Sequence, residues 1–303
     1  MTKGCGENTL EAKLFAGVEL GGTKCICTLA HSLDEILQQE AIPTTSPEET
    51  LGAIDGILSG WVKQGIAVLG INSFGPVDLD VNSPTWGFIT KTTKPGWSNT
   101  DVARRLGRAA GASVAFDTDV NGAARAEMRW GSGRGFDDFA YITVGTGVGV
   151  GLIVNGKPTR GFGHSELGHF RPVRLAGDDW PGICPFHGDC VEGLASGEAI
   201  KARLGSQRVG NIGADDPVWG GVAFALAQLC HVIVCAASPM RIAIGGGVME
   251  RQPHLLSRIQ EMLVGSLSGY LDLPAGRYVV VPELGPQAGP MGSIALAMDT
   301  LAD

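Results

Sequence analysis

The apolar residues of this chain fall into short runs typical of β-strands and into helical periods, and the two kinds alternate along its length. Leu14–Ala30 has the order strand, Gly-Gly turn, strand, with β-favouring residues on both sides of the turn. Phe139–Val154 repeats that order around a Gly-Thr-Gly turn and leads into the reverse-turn pair Asn155-Gly156. The repeated hairpin predicts an internally duplicated chain.

Helical and strand patterns fill the intervals between and after the two hairpins. Apolar residues three or four apart predict a helix over 47–63, followed by a buried strand over 67–76 that ends in a glycine-proline loop. Asp101 is placed to cap a helix through Arg108, and 113–116 is a further short strand. Helices and strands alternate throughout, which predicts an α/β fold. The later elements are helices over 196–204, 218–237 and 288–298 and a strand over 241–244.

Length and charge limit the classes of function. A chain of 303 residues has room for two domains with a cleft between them. The net charge is -8 and no run of Lys or Arg forms a basic patch, which argues against a nucleic-acid-binding protein. The opening Met1–Lys13 is polar, and we find no stretch of about 18 apolar residues, so we expect a cytoplasmic protein without a membrane partner. The odd count of seven cysteines argues against a disulfide framework.

Three glycine turns follow apolar strands. Backbone N–H groups in such turns approach a phosphate closely because no Cβ stands in the way. A single turn is typical of plain hairpin chemistry, whereas three in a duplicated chain favour a nucleotide site. None matches the P-loop pattern, and the second turn lies between two strands instead of opening a helix, which disfavours a dinucleotide site. The remaining arrangement is actin-like, with opposed hairpins around the phosphates. The turns are Gly21-Gly22-Thr23, Gly145-Thr146-Gly147 and Gly245-Gly246-Gly247.

A cluster of sulfur and imidazole ligands lies further along the chain. Cys184, His187 and Cys190 follow one another at short loop spacing, and His169 upstream completes a tetrahedral set. Four protein ligands leave no open position, which indicates a structural zinc ion. The alternative is an accidental pair of buried cysteines.

Together these motifs resemble the ROK family of bacterial sugar kinases over essentially the whole chain. The motifs are Glu19-Leu-Gly-Gly-Thr23, Thr118-Asp-Val-Asn121, Glu166-Leu-Gly-His169 and the Cys/His cluster. The resemblance implies a two-domain actin-like ATPase (ribonuclease H-like) fold that takes ATP and a hexose. It implies a smaller domain over 1–117, completed by a C-terminal helix over 288–303, and a larger domain over 118–287 with the zinc loop. A homodimer is the expected assembly.

The resemblance also implies roles for single residues. Asp119 orients the sugar hydroxyl and accepts its proton, although a turn or N-cap before the helical stretch 122–129 is the competing interpretation. Mg²⁺ is held chiefly by ATP, assisted by carboxylates such as Glu19 and Asp119. The implied ATP contacts are Glu19, Gly21, Gly22, Thr23, Lys24, Thr146, Gly147, Gly245, Gly246, Gly247, Val248 and Met249. The implied sugar contacts are Gly75, Pro76, Asn121, Glu166, His169 and Glu192.

Two departures from the commonest family pattern favour fructose as the sugar. Glu19 stands where many members have Asp, and His187 replaces the middle one of three cysteines; both features are similar to the fructokinase branch. A glucokinase or an N-acylhexosamine kinase is the alternative. A non-catalytic sugar-sensing protein is less favoured because Asp119 and the glycine turns are intact. The repressors of the family carry a DNA-binding domain before the first hairpin, and with about thirteen residues before Leu14 we do not expect such a domain here.

Overall fold

The computed structural model describes residues 13–205 and 212–301. The predicted domain limits at the two ends, and the polar opening segment before residue 13, lie outside them. The strands are β1 (Leu14–Leu20), β2 (Lys24–Ala30), β3 (Ile36–Pro43), β4 (Ile66–Ser73), β5 (Phe88–Ile89), β6 (Thr100–Asp101), β7 (Ser113–Thr118), β8 (Phe139–Val144), β9 (Val148–Val154), β10 (Lys157–Pro158), β11 (Arg241–Gly245) and β12 (Val279–Val280).

Helices alternate with these strands, as the α/β prediction requires. They are α1 (Pro47–Trp61), α2 (Ala103–Ala110), α3 (Asp119–Trp130), α4 (Val191–Ala195), α5 (Gly197–Leu204), α6 (Val218–Ala237), α7 (Gly247–Arg251), α8 (Leu255–Leu267) and α9 (Ala288–Asp299). Short 3₁₀ turns occur at Val62–Gln64, Leu167–His169 and Gly285–Gln287.

Five strands form the first sheet in the order β3-β2-β1-β4-β7. β1 and β2 are the antiparallel hairpin predicted around the Gly-Gly turn, whereas β1, β4 and β7 run parallel. The register pairs Glu19 with Asn72 and Asn72 with Asp117. The carboxyl ends of three parallel strands therefore bring polar side chains to one edge of the sheet.

The second sheet repeats that arrangement in the order β10-β9-β8-β11-β12. β8 and β9 form the second antiparallel hairpin, and β8, β11 and β12 run parallel. Each sheet thus has a central strand with an antiparallel hairpin partner on one side and a parallel neighbour on the other. The predicted internal duplication is confirmed by this shared strand order.

Helices α3 and α9 pack against each other between the two sheets. α9 contributes Met291 and Ile294 to an apolar cluster with Phe15 of the first sheet. The two helices approach closely because a Cβ on Gly292 of α9 would collide with the backbone of Gly122 on α3. α9 therefore completes the packing of the first sheet from the far end of the chain.

α3 faces the second sheet with its small residues. Ala123 and Ala124 belong to an apolar cluster with Phe139 and Tyr141 of β8. The helix begins where β7 of the first sheet ends, so it connects the two halves of the molecule. The division into domains at residue 117 stays a prediction, and it falls at the start of this helix.

The predicted helix after Asp101 begins slightly later than expected. Val102 occupies the N-cap position of α2, and the helix runs from Ala103. Asp101 still accepts a hydrogen bond from the Arg104 N–H at 3.2 Å, so its side chain satisfies a free amide of the first turn.

The expectation that the chain has no stretch of about 18 apolar residues is wrong. α6 has 20 residues and a mean hydropathy of 1.9 over its most apolar 18-residue window, so it is long and apolar enough to cross a membrane. Its largest residues, among them Trp219, Leu226 and Ile233, are instead buried in the main apolar cluster of the second half. The helix is apolar nearly all round because it is packed within that half.

Candidate active site

The polar edge of the first sheet faces the second sheet across a cavity of about 140 Å³. Glu19 at the end of β1 and Asp119 at the start of α3 contribute carboxylates from the first side. The second side contributes Gly246 from the third glycine turn and Glu250 from α7. The remaining lining residues are Val120, Ala123, Tyr141, Thr143, Gly285, Pro286 and Gly289.

Asp119 is the first residue of α3, and Thr118 is its N-cap. The Thr118 hydroxyl accepts the Asn121 N–H at 3.2 Å, which is the capping bond. Asp119 Oδ1 accepts the N–H of Val120 at 2.9 Å. The competing interpretation of Asp119 as the helix cap is therefore wrong, because Thr118 has that position.

Desolvation shifts the pKa values of two of the three carboxylic acids that line the cavity, Glu19 and Asp119, into the neutral range. Desolvation raises the pKa of Asp119 to about 7, the Val120 amide opposes the shift, and the nearby Glu166 carboxylate adds to it. Desolvation also raises the pKa of Glu19 to about 7, with a further contribution from Asp119 and an opposing one from Lys24. A carboxylic acid with a pKa near 7 is matched to proton transfer at neutral pH.

The Glu19 side chain needs a glycine on the opposing helix. A Cβ at Gly289, in the first turn of α9, would collide with the Glu19 carboxylate. The amino-terminal end of a helix favours negative charge because its first N–H groups are free. The cleft thus accepts a carboxylate at this point because α9 has no side chain there.

The tip of the first hairpin is held from its own half. The Thr44 hydroxyl donates to the Gly21 carbonyl at 2.7 Å, and Lys94 Nζ donates to the Gly22 carbonyl at 2.6 Å. Thr23 and Lys24 are exposed at the tip. The turn therefore presents its remaining backbone groups to solvent in a supported conformation.

The tip of the second hairpin is held by different groups. The Gly145 carbonyl accepts the N–H of Gly197 at 2.7 Å. Glu192 Oε2 accepts the N–H of Val148 at 3.1 Å, and a Cβ on Gly147 would lie 2.5 Å from the same oxygen. Glu192 thus supports this hairpin, a contact that its expected role at the sugar did not include.

The third glycine turn joins β11 to α7. Gly246 has φ 92°, a conformation that L side chains rarely adopt, and a Cβ there would lie 2.6 Å from the Val144 carbonyl oxygen. The side chains of Val248 and Met249 are buried in the second half. Any contact from these two residues to a nucleotide would therefore come from their backbone.

The expected sugar residues lie on two facing edges. Gly75 and Pro76, joined by a cis peptide bond, follow β4 in the first half. A Cβ on Gly75 would lie 3.5 Å from Oε1 of Glu166, which belongs to the second half. His164 lies at the same place, with Nδ1 3.5 Å from that oxygen. The sequence prediction gave His164 no role at this edge.

Asn121 is buried, and its amide nitrogen donates to Asp117 Oδ1 at 2.8 Å. Asp117 is buried as well; it also accepts the Thr118 N–H at 2.8 Å and Arg160 Nη2 at 2.9 Å. This carboxylate therefore holds the junction between β7 and α3 that carries Asp119. Asp117 was missed from the sequence, although its place two residues before Asp119 in a strand was a usable signal.

The four expected zinc ligands converge. Their donor atoms all lie within 4.8 Å of one another, and Cys184 and Cys190 are buried. His169 Nδ1 lies 3.7 Å from the Cys184 sulfur and 3.6 Å from the Cys190 sulfur, and His187 Nδ1 lies 3.6 Å from the Cys184 sulfur. Tetrahedral zinc bonded to sulfur and nitrogen sets these atoms about 3.6 Å apart, so the cluster fits the ion.

The ROK family model matches residues 15–300 of this chain. The chain belongs to the ROK family. The fructokinase of Zymomonas mobilis subsp. mobilis is 42% identical over 293 residues, which cover 95% of this chain and 97% of that protein. The fructokinase of Lactococcus lactis subsp. cremoris is 38% identical over 273 residues, covering 89% and 91%.

Solved structures of the ROK family share the fold. The crystal structure of the ROK family glucokinase from Streptomyces griseus in complex with glucose and AMPPNP superposes with a TM-score of 0.73 and 25% sequence identity. The match covers 94% of this chain and 99% of that one. The expected actin-like two-half architecture is confirmed.

Proposed function

We propose that this protein is an ATP-dependent fructokinase that converts D-fructose and ATP into fructose 6-phosphate and ADP. The observation that carries the proposal is the 42% identity to a fructokinase along nearly the whole of both chains. Identity to the structurally matched glucokinase is lower, at 25%. The chain also carries carboxylates and glycine turns of the kinds that phosphoryl transfer needs, which supports the proposal.

Asp119 is the proposed general base. The fructose hydroxyl oxygen attacks the γ-phosphorus of ATP while its proton passes to the Asp119 carboxylate. The bond from the γ-phosphorus to the bridging oxygen breaks, and the electron pair leaves with ADP. The raised pKa of Asp119, about 7, supports this role, because the group then accepts a proton at neutral pH without being a strong acid.

The three glycine turns are the proposed ATP site. Two exposed hairpin tips, with Thr23 and Thr146, supply hydroxyl and N–H donors to the phosphates, and Gly245–Met249 supplies backbone from the third turn. Gly21, Gly22 and Gly147 leave room for close approach. Mg²⁺ would be held by the phosphates and, through water, by Glu19 and Asp119, since hard cations prefer oxygen ligands. When bound, it neutralises charge on the transferring phosphoryl group.

Zinc bound by His169, Cys184, His187 and Cys190 is the proposed structural ion. With Nδ1 of His169 on the metal, its Nε2 carries the proton and faces Glu192 Oε1 at 4.0 Å. The ion would thereby fix the loop that carries Glu166 and orient Glu192. Sugar contacts from these residues, and from Gly75, Pro76 and Asn121, are part of the proposal.

We further propose a cytoplasmic homodimer, with domains divided at residue 117 and the first completed by α9. The location follows from the proposed reaction, because ATP is a cytoplasmic metabolite. The domain division is supported by the packing of α9 on the first sheet. Light scattering of the purified protein tests the assembly.

ADP release measured with MgATP and a panel of hexoses tests the function. We expect the highest kcat/KM with fructose, ahead of glucose, mannose and the N-acetylated hexosamines. A higher value with glucose or with an N-acetylhexosamine would overturn fructose in favour of the corresponding kinase. Sugar binding without ADP release from any hexose would instead support a sensing protein.

A further inference from the structure

The turn after β10, residues 160–166, belongs to the second half but makes two polar contacts with the first. Arg160 Nη2 donates to Asp117 Oδ2 at 2.9 Å, and His164 Nε2 accepts the Val77 N–H at 3.0 Å. A backbone bridge between Arg160 and His164 closes the turn. Both contacts with the first half therefore come from a single turn, which its own backbone bridge closes.

The Val77 contact determines where the His164 ring carries its proton. A backbone N–H only donates, so Nε2 accepts and the proton of the neutral ring lies on Nδ1. Nδ1 lies 3.3 Å from the Ser165 carbonyl oxygen and 3.5 Å from Oε1 of Glu166. The side chain is only 6% exposed, so water competes little for either nitrogen. The ring thus lies between a first-half amide and the Glu166 carboxylate.

Gly75 permits this arrangement. A Cβ at Gly75 would lie 3.2 Å from Cε1 of His164, closer than ordinary van der Waals contact. The first-half edge that ends β4 therefore packs directly on the ring. His164 joins the two edges on which the expected sugar residues lie.

We propose that His164 is a positioning residue for the sugar, which docks the Gly75-Pro76 edge of the first half onto the loop that carries Glu166. The proposal rests on the proposed hexose kinase function. His164 acts through Val77 and Glu166. Losing the contact should weaken sugar binding, because the Gly75-Pro76 edge is no longer bonded to the segment that carries Glu166. Nucleotide binding at the glycine turns should be unaffected.

Two variants separate the hydrogen bond from the bulk of the ring. His164→Phe keeps a ring and removes both nitrogens, and we expect the KM for fructose to rise roughly 5- to 100-fold, the range for one lost bond to a buried amide. The KM for MgATP should stay within about twofold. His164→Gln places an amide oxygen near the Nε2 position and should recover a fructose KM within about threefold of wild type.

A matched control lies on α6. His231 is a half-buried histidine of the same half with one hydrogen bond, from Nδ1 to Ser266 Oγ at 2.9 Å. His231→Phe removes a comparable bond away from the sugar edges, so it should leave the fructose KM unchanged.

Hydrogen exchange of the peptide segment 75–79 gives a second measurement that needs no turnover. The Val77 amide should be protected in wild type and in His164→Gln, and should exchange faster in His164→Phe. A His164→Phe variant with wild-type fructose KM and wild-type exchange would overturn the proposal. If wild type prefers another hexose, fructose as the substrate is wrong, and the same KM comparison made with that hexose still decides the role of His164.

Discussion

The two halves of the molecule repeat one sheet topology but support their glycine hairpins with different chemistry. The first tip is held by the Thr44 hydroxyl and the Lys94 ammonium group, both bonded to carbonyl oxygens. The second is held by the Glu192 carboxylate, which accepts a backbone N–H, and by the amide of Gly197. A duplicated backbone therefore does not require duplicated side chains.

The difference follows from what lies behind each hairpin. The second half carries the Cys/His cluster, and the Glu192 carboxylate lies between that cluster and the hairpin, with Oε1 4.0 Å from His169 Nε2 and Oε2 accepting the Val148 N–H. Two half-buried carboxylic acids, Glu19 of β1 and Asp119 at the start of α3, lie at the edge of the first sheet, and their pKa values are raised to about 7. We infer that the carboxylates at the edge of the first sheet contribute most to proton transfer, and that the segments carrying Glu166 and Glu192 contribute to holding the sugar.

Asp119→Asn is the strongest test of that division. The variant keeps the shape of the side chain and the acceptor for the Val120 N–H but removes the carboxylate that takes up the proton. We therefore expect kcat to fall about 10²- to 10⁴-fold, as for loss of a general base. Affinity for MgATP should stay within about twofold of wild type. An unchanged turnover rate in a folded protein would remove Asp119 from the reaction.

The same carboxyl groups should determine how the rate of the wild-type enzyme depends on pH. At limiting fructose and MgATP the rate should rise as pH increases through about 7, where Asp119 and Glu19 lose their protons. Between their ordinary pKa values and about 7 the folded state binds more protons than the unfolded state, so these groups lower stability as pH rises. Asp119→Asn should therefore be no less stable than wild type at pH 8, a comparison that thermal unfolding can make.

Loss of the proposed zinc ion should disturb mainly the second half. Cys184→Ser removes one ligand, and the zinc content should fall from about one ion per chain to a small fraction, with a large loss of stability, since structural zinc binds with about 10 kcal/mol or more. Cys235 is exposed on α6, outside the cluster, so Cys235→Ser is the matched control and should retain the ion. Equal zinc contents by elemental analysis would refute the ligand set.

The next smaller effect that we expect is a difference in stability between glycine substitutions at the two hairpin tips. Gly147→Ala places a Cβ 2.5 Å from Glu192 Oε2, whereas a Cβ on Gly22 meets nothing within 4 Å. Without nucleotide, Gly147→Ala should lose about 1–3 kcal/mol through the Glu192–Val148 bond and melt several degrees lower. Gly22→Ala should melt within about 1 °C of wild type. Equal melting temperatures for the two variants would contradict the different support of the tips.

The smallest expected effect is at Lys94. Its ammonium group bonds the Gly22 carbonyl at an exposed site, so Lys94→Met should cost less than about 1 kcal/mol of stability. The KM for MgATP should rise about two- to threefold because the first tip is less well held. Lys63→Met, in the 3₁₀ turn that follows α1, changes the charge equally and should leave this KM unaltered. Calorimetry and initial rates together measure both quantities.

The sequence alone was enough to predict the helices, hairpins and ligand spacing that depend on residues close together in the chain. Alternating apolar runs and glycine turns located both hairpins, and helical spacing located α1, α5, α6 and α9, because near neighbours in the chain determine these patterns. The short spacing of Cys184, His187 and Cys190 likewise indicated one cluster, which the folded chain assembles with His169.

Contacts between distant segments were decided only by the tertiary structure. Nothing near His164 in the chain indicates that its ring meets Val77, 87 residues away, and nothing near Glu192 indicates that it accepts the amide of Val148. The apolar stretch of α6 was overlooked although the sequence shows it, whereas its burial in the second half was decided by the elements that pack around it. A sequence pattern indicates contacts between residues that lie within a turn or two of each other along the chain. Parallel strands and the two facing halves bring together residues that are far apart in the chain, and no local pattern predicts those contacts.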